Sequence, residues 1–528
     1  MQKRSIFFGW TWRVFSALLV SSLAYPIACS SDKDSRIADI PTDEAGGNAG
    51  ANAKGGAGAN TKGGAGANTN NAAGTDTSIP KERIGDEVFN ENEVKSYYLT
   101  FSDEEYARLM DLSTLLEDPT TVNKDRYVKA ALRVGDVDLP SIGVRFKGNY
   151  SIWGCVDSVT GERAVRVEPF FGNIDVCQRF SLKLDFNQFV EDARLDGLKK
   201  LNLQAMAADP SKMRERLSYS LFRDMDILAP RAVHARVYIN GKYHGLFSAV
   251  ENIDGRFTAN RFPKAGDGNL YQDLWPTPEL SSADAEYALE TNKDPGSVDV
   301  SDFMAFRDAI ASATEADFAK KLSPYVDLDY LARYIVVDRA IASSDGIIAF
   351  YSGLGWGPFN QNYNWYDSGD SHFVLIPWDF DKAFWFPEPN FWSNNAPNGL
   401  NIVPNWNVVT TGCDDYECSF DSKIVYGGVV RELPYYLRQI DCDPFLRLLR
   451  GAVYDRQKAI AEDFISGPFS KARVVAKLEA WRAQVKEAIA DDPGVDSAQW
   501  QAAIDEIIVK LPDFQQNLSL MMNGLIEE

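Results

Sequence analysis

"LIPWDFDKAFW", residues 375–385, places Asp379 and Asp381 inside an otherwise apolar run. Such a run predicts a buried strand, in which alternate residues share a face, so the two carboxylates would sit on one side about 7 Å apart. Charged groups are rarely buried without partners. A divalent cation held jointly by both would account for them. The structural alternative is a turn cap, or pairing with Lys382 and a nearby arginine, and the two residues taken by themselves favour it. The rest of the chain has to decide.

A chain of 528 residues, 45% hydrophobic and 12% aromatic, can bury a large core, and its length suggests two to four domains. The formal net charge of −21 argues against a nucleic-acid partner, since binding a phosphate backbone depends on Lys and Arg releasing counterions. Any anionic ligand needs a local basic pocket.

The first 28 residues read as a signal sequence, with Lys3 and Arg4 ahead of an apolar stretch and small residues before Cys29. The ending "PIAC" resembles a bacterial lipobox, although Pro26 stands where Leu is usual, and this makes Cys29 the expected lipidation site. An ordinary secretory signal cut nearby is the alternative. With Ser30 following, the resemblance implies an exported outer-membrane or cell-surface lipoprotein of a diderm bacterium, a location reached through a lipid anchor without spanning the bilayer. Residues 29–80 are rich in Gly, Ala, Asn and Thr, with "GGAGAN" twice, and form a flexible tether because they offer too little apolar surface to order. In an oxidising compartment the remaining cysteines should form disulfides, with Cys155 and Cys177 the natural pair. Cys413, Cys418 and Cys442 leave one pair and one free thiol open. A zinc site is disfavoured, since the chain has no CxxC and only three histidines.

From residue 81 the chain reads first as strands. "NEVKSYYLTFS", "VDLPSIGVRFKGNYS" and "RFSLKLDF" alternate, and Lys183 points away from the Phe180, Leu182, Leu184 and Phe186 set. One helix is expected over 209–228, with Asp209 as cap, Pro210 at its first position, and Met213, Leu217, Leu221, Met225 and Leu228 as its apolar stripe. "ARVYINGKYHGLFSAVE" is a hairpin, its turn made by Asn240-Gly241. Helices follow over 303–343, then a Gly-rich loop "YSGLGWGPFNQ", a strand pair turning at Asp367–Asp370, and mostly helices from about 430. The expected class is α+β: a β-rich antiparallel N-lobe (81–255) carrying one helix, a largely helical C-lobe (256–450) holding the carboxylates, and a C-terminal helical segment (451–528). That is the two-lobe layout of a protein kinase.

The stretches "VRFKGNYSIW", "RFSLKLDF", "LNLQAMAADPSKMRERLSYSLFRDMDI", "VYINGKYHGLFSAVENID", "VDRAIASSDG", "QNYNWYD" and "LIPWDFDKAFW" together resemble the CotH family, spore coat protein H and its relatives, which are atypical protein kinases. They run in the family's order across residues 95–390. The resemblance implies ATP with Mg²⁺ or Mn²⁺ as cofactors and a Ser/Thr of an envelope or surface protein as acceptor. Asp379 resembles the aspartate that holds the metal, with Asp381 a second ligand and Asn362 the accompanying amide; Asn364 is an alternative because Gln361 replaces the family's His and the preceding loop is longer. Asp345 falls where the catalytic aspartate lies and would accept or orient the hydroxyl proton. Lys183 resembles the strand lysine that contacts the phosphates, and Glu215 the helix carboxylate that orients it. Arg145 and Lys147 would cover the phosphates, and Glu251 would stand at the hinge beside the base.

Considered singly, Lys183 and Glu215 are ordinary surface charges, Asp345 before Gly346 is a helix-end turn residue, and Arg145 and Lys147 solvate a strand. Their joint order favours the kinase. A surface adhesion or scaffold protein that keeps the fold without catalysis is the second reading, because ATP is scarce outside the cytoplasm. A carbohydrate-active protein is a third, suggested only by the twelve Trp and abundant Tyr.

Overall fold

The computed structural model describes residues 84–527, apart from 119–120, 123–125, 149–151, 153–154, 157–160, 166, 169–173, 263–264, 354–355, 369–371, 386–405, 410–419, 427–428 and 438. The signal sequence, Cys29, the rest of the chain before residue 84, Cys413 and Cys418 lie outside the described residues.

Seven strands close into a barrel: β1 (Lys95–Thr100), β2 (Val128–Val134), β3 (Val137–Lys147), β4 (Ser181–Asp185), β5 (Lys200–Gln204), β6 (Ala232–Ile239) and β7 (Lys242–Glu251). Their spatial order is β1-β6-β7-β5-β4-β3-β2, back to β1. The pairing is antiparallel except between β1 and β6, which run parallel. The sequence reading of a purely antiparallel lobe is corrected here; strands so far apart in the chain leave no local signal of their partnership. Val144, Phe146, Leu182, Leu184, Leu201, Leu203, Phe247 and Ala249 fill the barrel with one apolar core. Because side chains alternate, Arg145, Lys147, Lys183, Asn202, Gln204 and Ser248 are left on its outer face. Asn240 and Gly241, at φ 47° and 78°, make the turn between β6 and β7 as expected.

Helix α1 (Asp103–Met110) packs beside β2, and α2 (Arg214–Asp224) follows β5. The helix expected over 209–228 is shorter at both ends. Lys212 and Asp226 adopt φ 58° and 56°, outside right-handed helix geometry, and so stop it. Asp209 still ties the entry, accepting the Arg214 N–H at 2.9 Å.

Beyond the barrel come α3 (Gly255–Arg261), β8 (Asn269–Gln272), α4 (Ser282–Ala288), α5 (Ser301–Ala311), α6 (Phe318–Leu322), α7 (Leu328–Ala340), β9 (Tyr363–Asp367) and β10 (Phe373–Pro377), with β8, β9 and β10 forming an antiparallel sheet. The Gly-rich stretch is not a simple loop. Tyr351–Gly353 and Trp356–Phe359 are short strands, and the first pairs with Val429–Leu437, itself paired with Phe420–Tyr426. Glycine content hid the first pair, and a partner some eighty residues away completes it.

Helices α8 (Pro444–Ser466), α9 (Lys471–Ala490) and α10 (Ser497–Met521) share a hydrophobic core with α2, α5 and α7. The end of α9 also grips the barrel: the buried Asp492 carboxylate accepts Arg179 at 3.0 Å and the Leu246 N–H at 2.7 Å. Cys155 and Cys177 are disulfide-bonded, as the sequence suggests. Cys442 is disulfide-bonded as well. The fold is therefore mixed α+β, a closed barrel followed by a helical half. No helix among the described residues is long and apolar enough to cross a membrane.

Candidate active site

Strand β10 ends at Pro377, and the opening expectation of a strand running on through Asp381 is corrected. Asp379 takes φ 56°, which no strand residue adopts, and the chain turns from there through Phe384. Aspartate is among the residues that tolerate this region. The turn rests on α2: the Asp379 N–H donates to the Tyr219 hydroxyl at 3.0 Å, and Phe380 packs on Tyr219 and Phe222 with ring centroids 5.4 and 5.2 Å away.

The two aspartates still share one space, since each feels its neighbours' charge. Burial raises the Asp379 carboxyl above its ordinary value, opposed by Lys147 and reinforced by Asp345. Asp381 is pushed up to about 7, by burial first and then by Asp379. Glu215, in the first turn of α2 and 2% exposed, is raised well above the usual carboxylate range by burial and again by Asp379. Tyr219 donates to Glu215 Oε1 at 3.5 Å, while Oε2 is buried without a hydrogen bond. Lys147 faces this cluster from the end of β3. Its ammonium donates to Gln204 Oε1 at 3.0 Å and lies 5.2 Å from the Trp378 ring centre. Burial lowers the Lys147 amine, against the pull of Asp379 and Glu215.

Asp345 lies just past α7. Its Oδ1 accepts from Gln361 Nε2 at 2.8 Å and its Oδ2 from Lys382 Nζ at 2.7 Å. Asn362 Nδ2 donates to the Asp345 carbonyl at 2.7 Å. Asn362 is itself held at φ 67° by Asp273 Oδ1, which accepts its N–H at 2.7 Å. Asn364 lies opposite Ile376 on β10, on the face of the small core of Phe257, Leu270, Tyr366 and Ile376. Of the two asparagines, Asn362 is the one joined to Asp345. Gly346 keeps this loop compact: a Cβ there would stand 2.9 Å from Ser343 Oγ and 3.2 Å from Asp338 Oδ1.

Other expected partners part company. Lys183 projects from the outer barrel face opposite Arg145 and is pushed down to about 7 by burial, then by Arg145 and Lys200. The lysine whose charge Glu215 feels is Lys147, so the expected Lys183–Glu215 pairing is replaced by Lys147 with Glu215. Alternation fixes which face a strand residue takes but not how far along the strand a helix crosses it. Glu251 is not open to a base either. Its carboxylate accepts Arg231 at 2.9 Å and Arg261 at 2.6 Å, and although burial raises it, Arg261 and then Arg231 hold it down at about 2. It is a structural ion-pair hub.

Sequence reasoning missed Tyr219, Gln204 and Asp273. Tyr219 was within reach, four residues after Glu215 on one helix and therefore on its face. Gln204 and Asp273 carried no local signal.

Four carboxylates (Asp345, Asp379, Asp381, Glu215) thus meet two ammonium groups (Lys147, Lys382) in a partly dry site. The excess negative charge suits a divalent cation. No group of three or more His, Cys, Asp or Glu among the described residues is arranged to hold a metal ion by itself. One or two carboxylates with an amide, completed by phosphate oxygens and water, is the manner of Mg²⁺ bound together with a phosphate ligand.

A closed barrel, a helical half and a carboxylate-lysine cluster define a mixed α+β protein with a charged candidate site. Residues 144–517 match the family model described as CotH kinase protein, well over half of the chain, and the chain belongs to the CotH family, a spore coat protein family with proposed kinase activity. It is 28% identical over 229 residues to the inner spore coat protein H of Bacillus subtilis, covering 40% of this chain and 59% of that protein. It is 24% identical over 232 residues to invasin CotH7 of Rhizopus delemar, covering 42% of this chain and 35% of that one. The chain thus spans about 59% and 35% of these relatives' lengths.

Proposed function

We propose that this chain is an exported, membrane-tethered protein kinase that transfers the γ-phosphate of ATP to a Ser or Thr hydroxyl of an envelope or surface protein. The barrel and the helical half correspond to the two lobes of a kinase. Support comes from one observation above the others: Lys147, Glu215, Asp345, Asn362, Asp379 and Asp381, from separate stretches of the chain, meet around one space with an excess of carboxylates. Asp379, Asp381 and Asn362 would hold Mg²⁺ or Mn²⁺, which when bound neutralises phosphate charge. Lys147, steadied by Gln204 and Glu215, meets the phosphates. Gln361 and Lys382 fix both oxygens of Asp345, so that its carboxylate can orient the acceptor hydroxyl and receive its proton. The hydroxyl oxygen then bonds to the γ-phosphorus, the bond from that phosphorus to the bridging oxygen breaks, and ADP departs. The signal-like start, the lipobox-like Cys29 and the Gly/Ala-rich stretch support export and tethering.

A surface adhesion role without catalysis is the second reading, favoured by the name of the Rhizopus relative, an invasin. Calorimetric titration with ATP and Mg²⁺ separates the two. The kinase reading expects binding that needs the metal and falls at least about a hundredfold in Asp379→Ala, as for a buried charged contact. No binding by the wild type, with cell attachment unchanged in Asp379→Ala, would favour adhesion.

A further inference from the structure

Three strand ends meet at Asn362. It stands just before β9, with Asp273 just past β8 and Trp378 just past β10. Asp273 Oδ1 accepts the Asn362 N–H at 2.7 Å and the Tyr363 N–H at 3.3 Å, and the Asp273 N–H donates to the Tyr363 carbonyl at 3.1 Å. The Trp378 N–H donates to the Asn362 carbonyl at 2.9 Å. From the side chain, Nδ2 donates to the Asp345 carbonyl at 2.7 Å. One residue thus ties the backbone of Asp345 to the residue preceding Asp379. Of the polar atoms of Asn362, Oδ1 alone has no partner among the described residues.

Asn362 sits at φ 67° and Asp273 at φ 52°, a region that Asn and Asp tolerate without requiring, so a partner has to select it. Asx turns, in which such a side chain bonds backbone two residues on, are the ordinary local means. Here acceptor and donor are 89 residues apart, and the contact is tertiary. A charged acceptor holds an N–H more strongly than a neutral one. Asp273 is exposed, so replacing it leaves no hole in the core.

We infer that Asp273 is a positioning residue for the cation site: its carboxylate fixes the Asn362 backbone, and with Nδ2 spent on Asp345 the amide is left to present Oδ1 as a neutral oxygen ligand. The inference rests on the phosphoryl-transfer reading, in which Asn362 helps to hold Mg²⁺ or Mn²⁺. Such hard cations take amide oxygens alongside carboxylates and water. Asp273 acts through Asn362 and touches neither cation nor phosphate. What the position needs is an acceptor atom, not a negative charge, and that separates a clamp from an additional ligand.

The test titrates Mn²⁺ into the full chain with ADP present, which offers phosphate oxygens but has no γ-phosphate to transfer, and reads binding by calorimetry. Asp273→Ala should weaken Mn²⁺ by about tenfold, the scale of one hydrogen bond to a charged group. Asp273→Asn, which keeps an Oδ1 acceptor and loses the charge, should stay within about twofold of the wild type. Hydrogen exchange at the Asn362 and Tyr363 amides should quicken in the Ala variant and not in the Asn variant. Mn²⁺ affinity unchanged in Asp273→Ala, whatever its melting temperature does, or amides that exchange no faster, would overturn the clamp and leave the kinase reading standing. Equal losses in the Ala and Asn variants would overturn it too, by showing that the charge itself meets the cation. A wild type that binds no Mn²⁺ would instead overturn the phosphoryl-transfer reading, and the inference with it, before any variant is compared.

Discussion

Replacing Asp381 by Asn should stabilise the protein when no metal is present. Asp381 rises from an ordinary 3.8 to about 7 in the folded chain. Below pH 4 the group is neutral in folded and unfolded chains alike, and it makes no difference. Between 4 and 7 the folded chain keeps a proton that the unfolded chain has lost, so stability falls as pH rises. Above 7 the penalty is complete. A gap of about 3 in pKa corresponds to about 4 kcal/mol at about 1.4 kcal/mol each. Burial is the first cause of that gap and Asp379 the second, and the two carboxyls titrate as a pair, so one substitution should recover about half, about 2 kcal/mol. For a chain of this size that is about 2–4 °C in melting temperature. Melting in EDTA should therefore show Asp381→Asn above wild type at pH 8, with the difference vanishing toward pH 4. Saturating Mg²⁺ and ATP should reverse the order, because the wild type gains a ligand that the variant holds poorly. An Asn variant that melts lower than wild type at pH 8 in EDTA, or differs equally at every pH, would refute the account of a carboxylate raised by burial and by its neighbour Asp379.

Glu251→Gln should destabilise by about 3–5 kcal/mol, since it leaves Arg231 and Arg261 without their buried counter-charge; urea unfolding at pH 7 measures it. The stability that Glu251 contributes is present above its unfolded value of 4.5 and is lost as pH falls toward about 2. Asp492→Asn should cost about 3 kcal/mol and speed hydrogen exchange in β7 and α9 together, because the one carboxylate ties Arg179 and Leu246 to the end of α9; exchange confined to α9 would argue against the grip. Replacing Cys155 and Cys177 together by Ser should cost about 3 kcal/mol, as expected for a bridge closing a short loop, and the variant's melting temperature reports it.

Much of the barrel was legible because its strands alternate. The Phe180, Leu182, Leu184 and Phe186 pattern fixed the inner face of β4 and put Lys183 outside, where the structure has it. Asn240-Gly241 marked its hairpin. The ends of α2 were not legible, since lysine rarely adopts the left-handed conformation of Lys212, and aspartate tolerates that of Asp226 without requiring it. The same holds for Asp379, whose left-handed turn looks apolar and strand-like in sequence. In the candidate site, Asp345, Asn362, Asp379, Asp381 and Glu215 were singled out by the family resemblance, and the fold places them near one another. The choice of Lys147 beside Glu215 was not, because both lysines lie on the same face and only the crossing point of α2 separates them. Glu251 failed for a related reason: the two arginines that occupy it come from Arg231 before β6 and from α3, with no motif to link them.

The central claim, that Asp345 and Asp379 carry out phosphoryl transfer, is tested most directly by incubating the chain with γ-labelled ATP and Mg²⁺ or Mn²⁺ and scoring label on itself and on a generic protein acceptor. Asp345→Ala and Asp379→Ala run beside it. The account predicts label in the wild type that falls by at least about a hundredfold in both variants, the scale of losing a positioned acid-base or charge-stabilising group, with both still folded by thermal melting. Label that persists in either folded variant, or a wild type that transfers none, would contradict it.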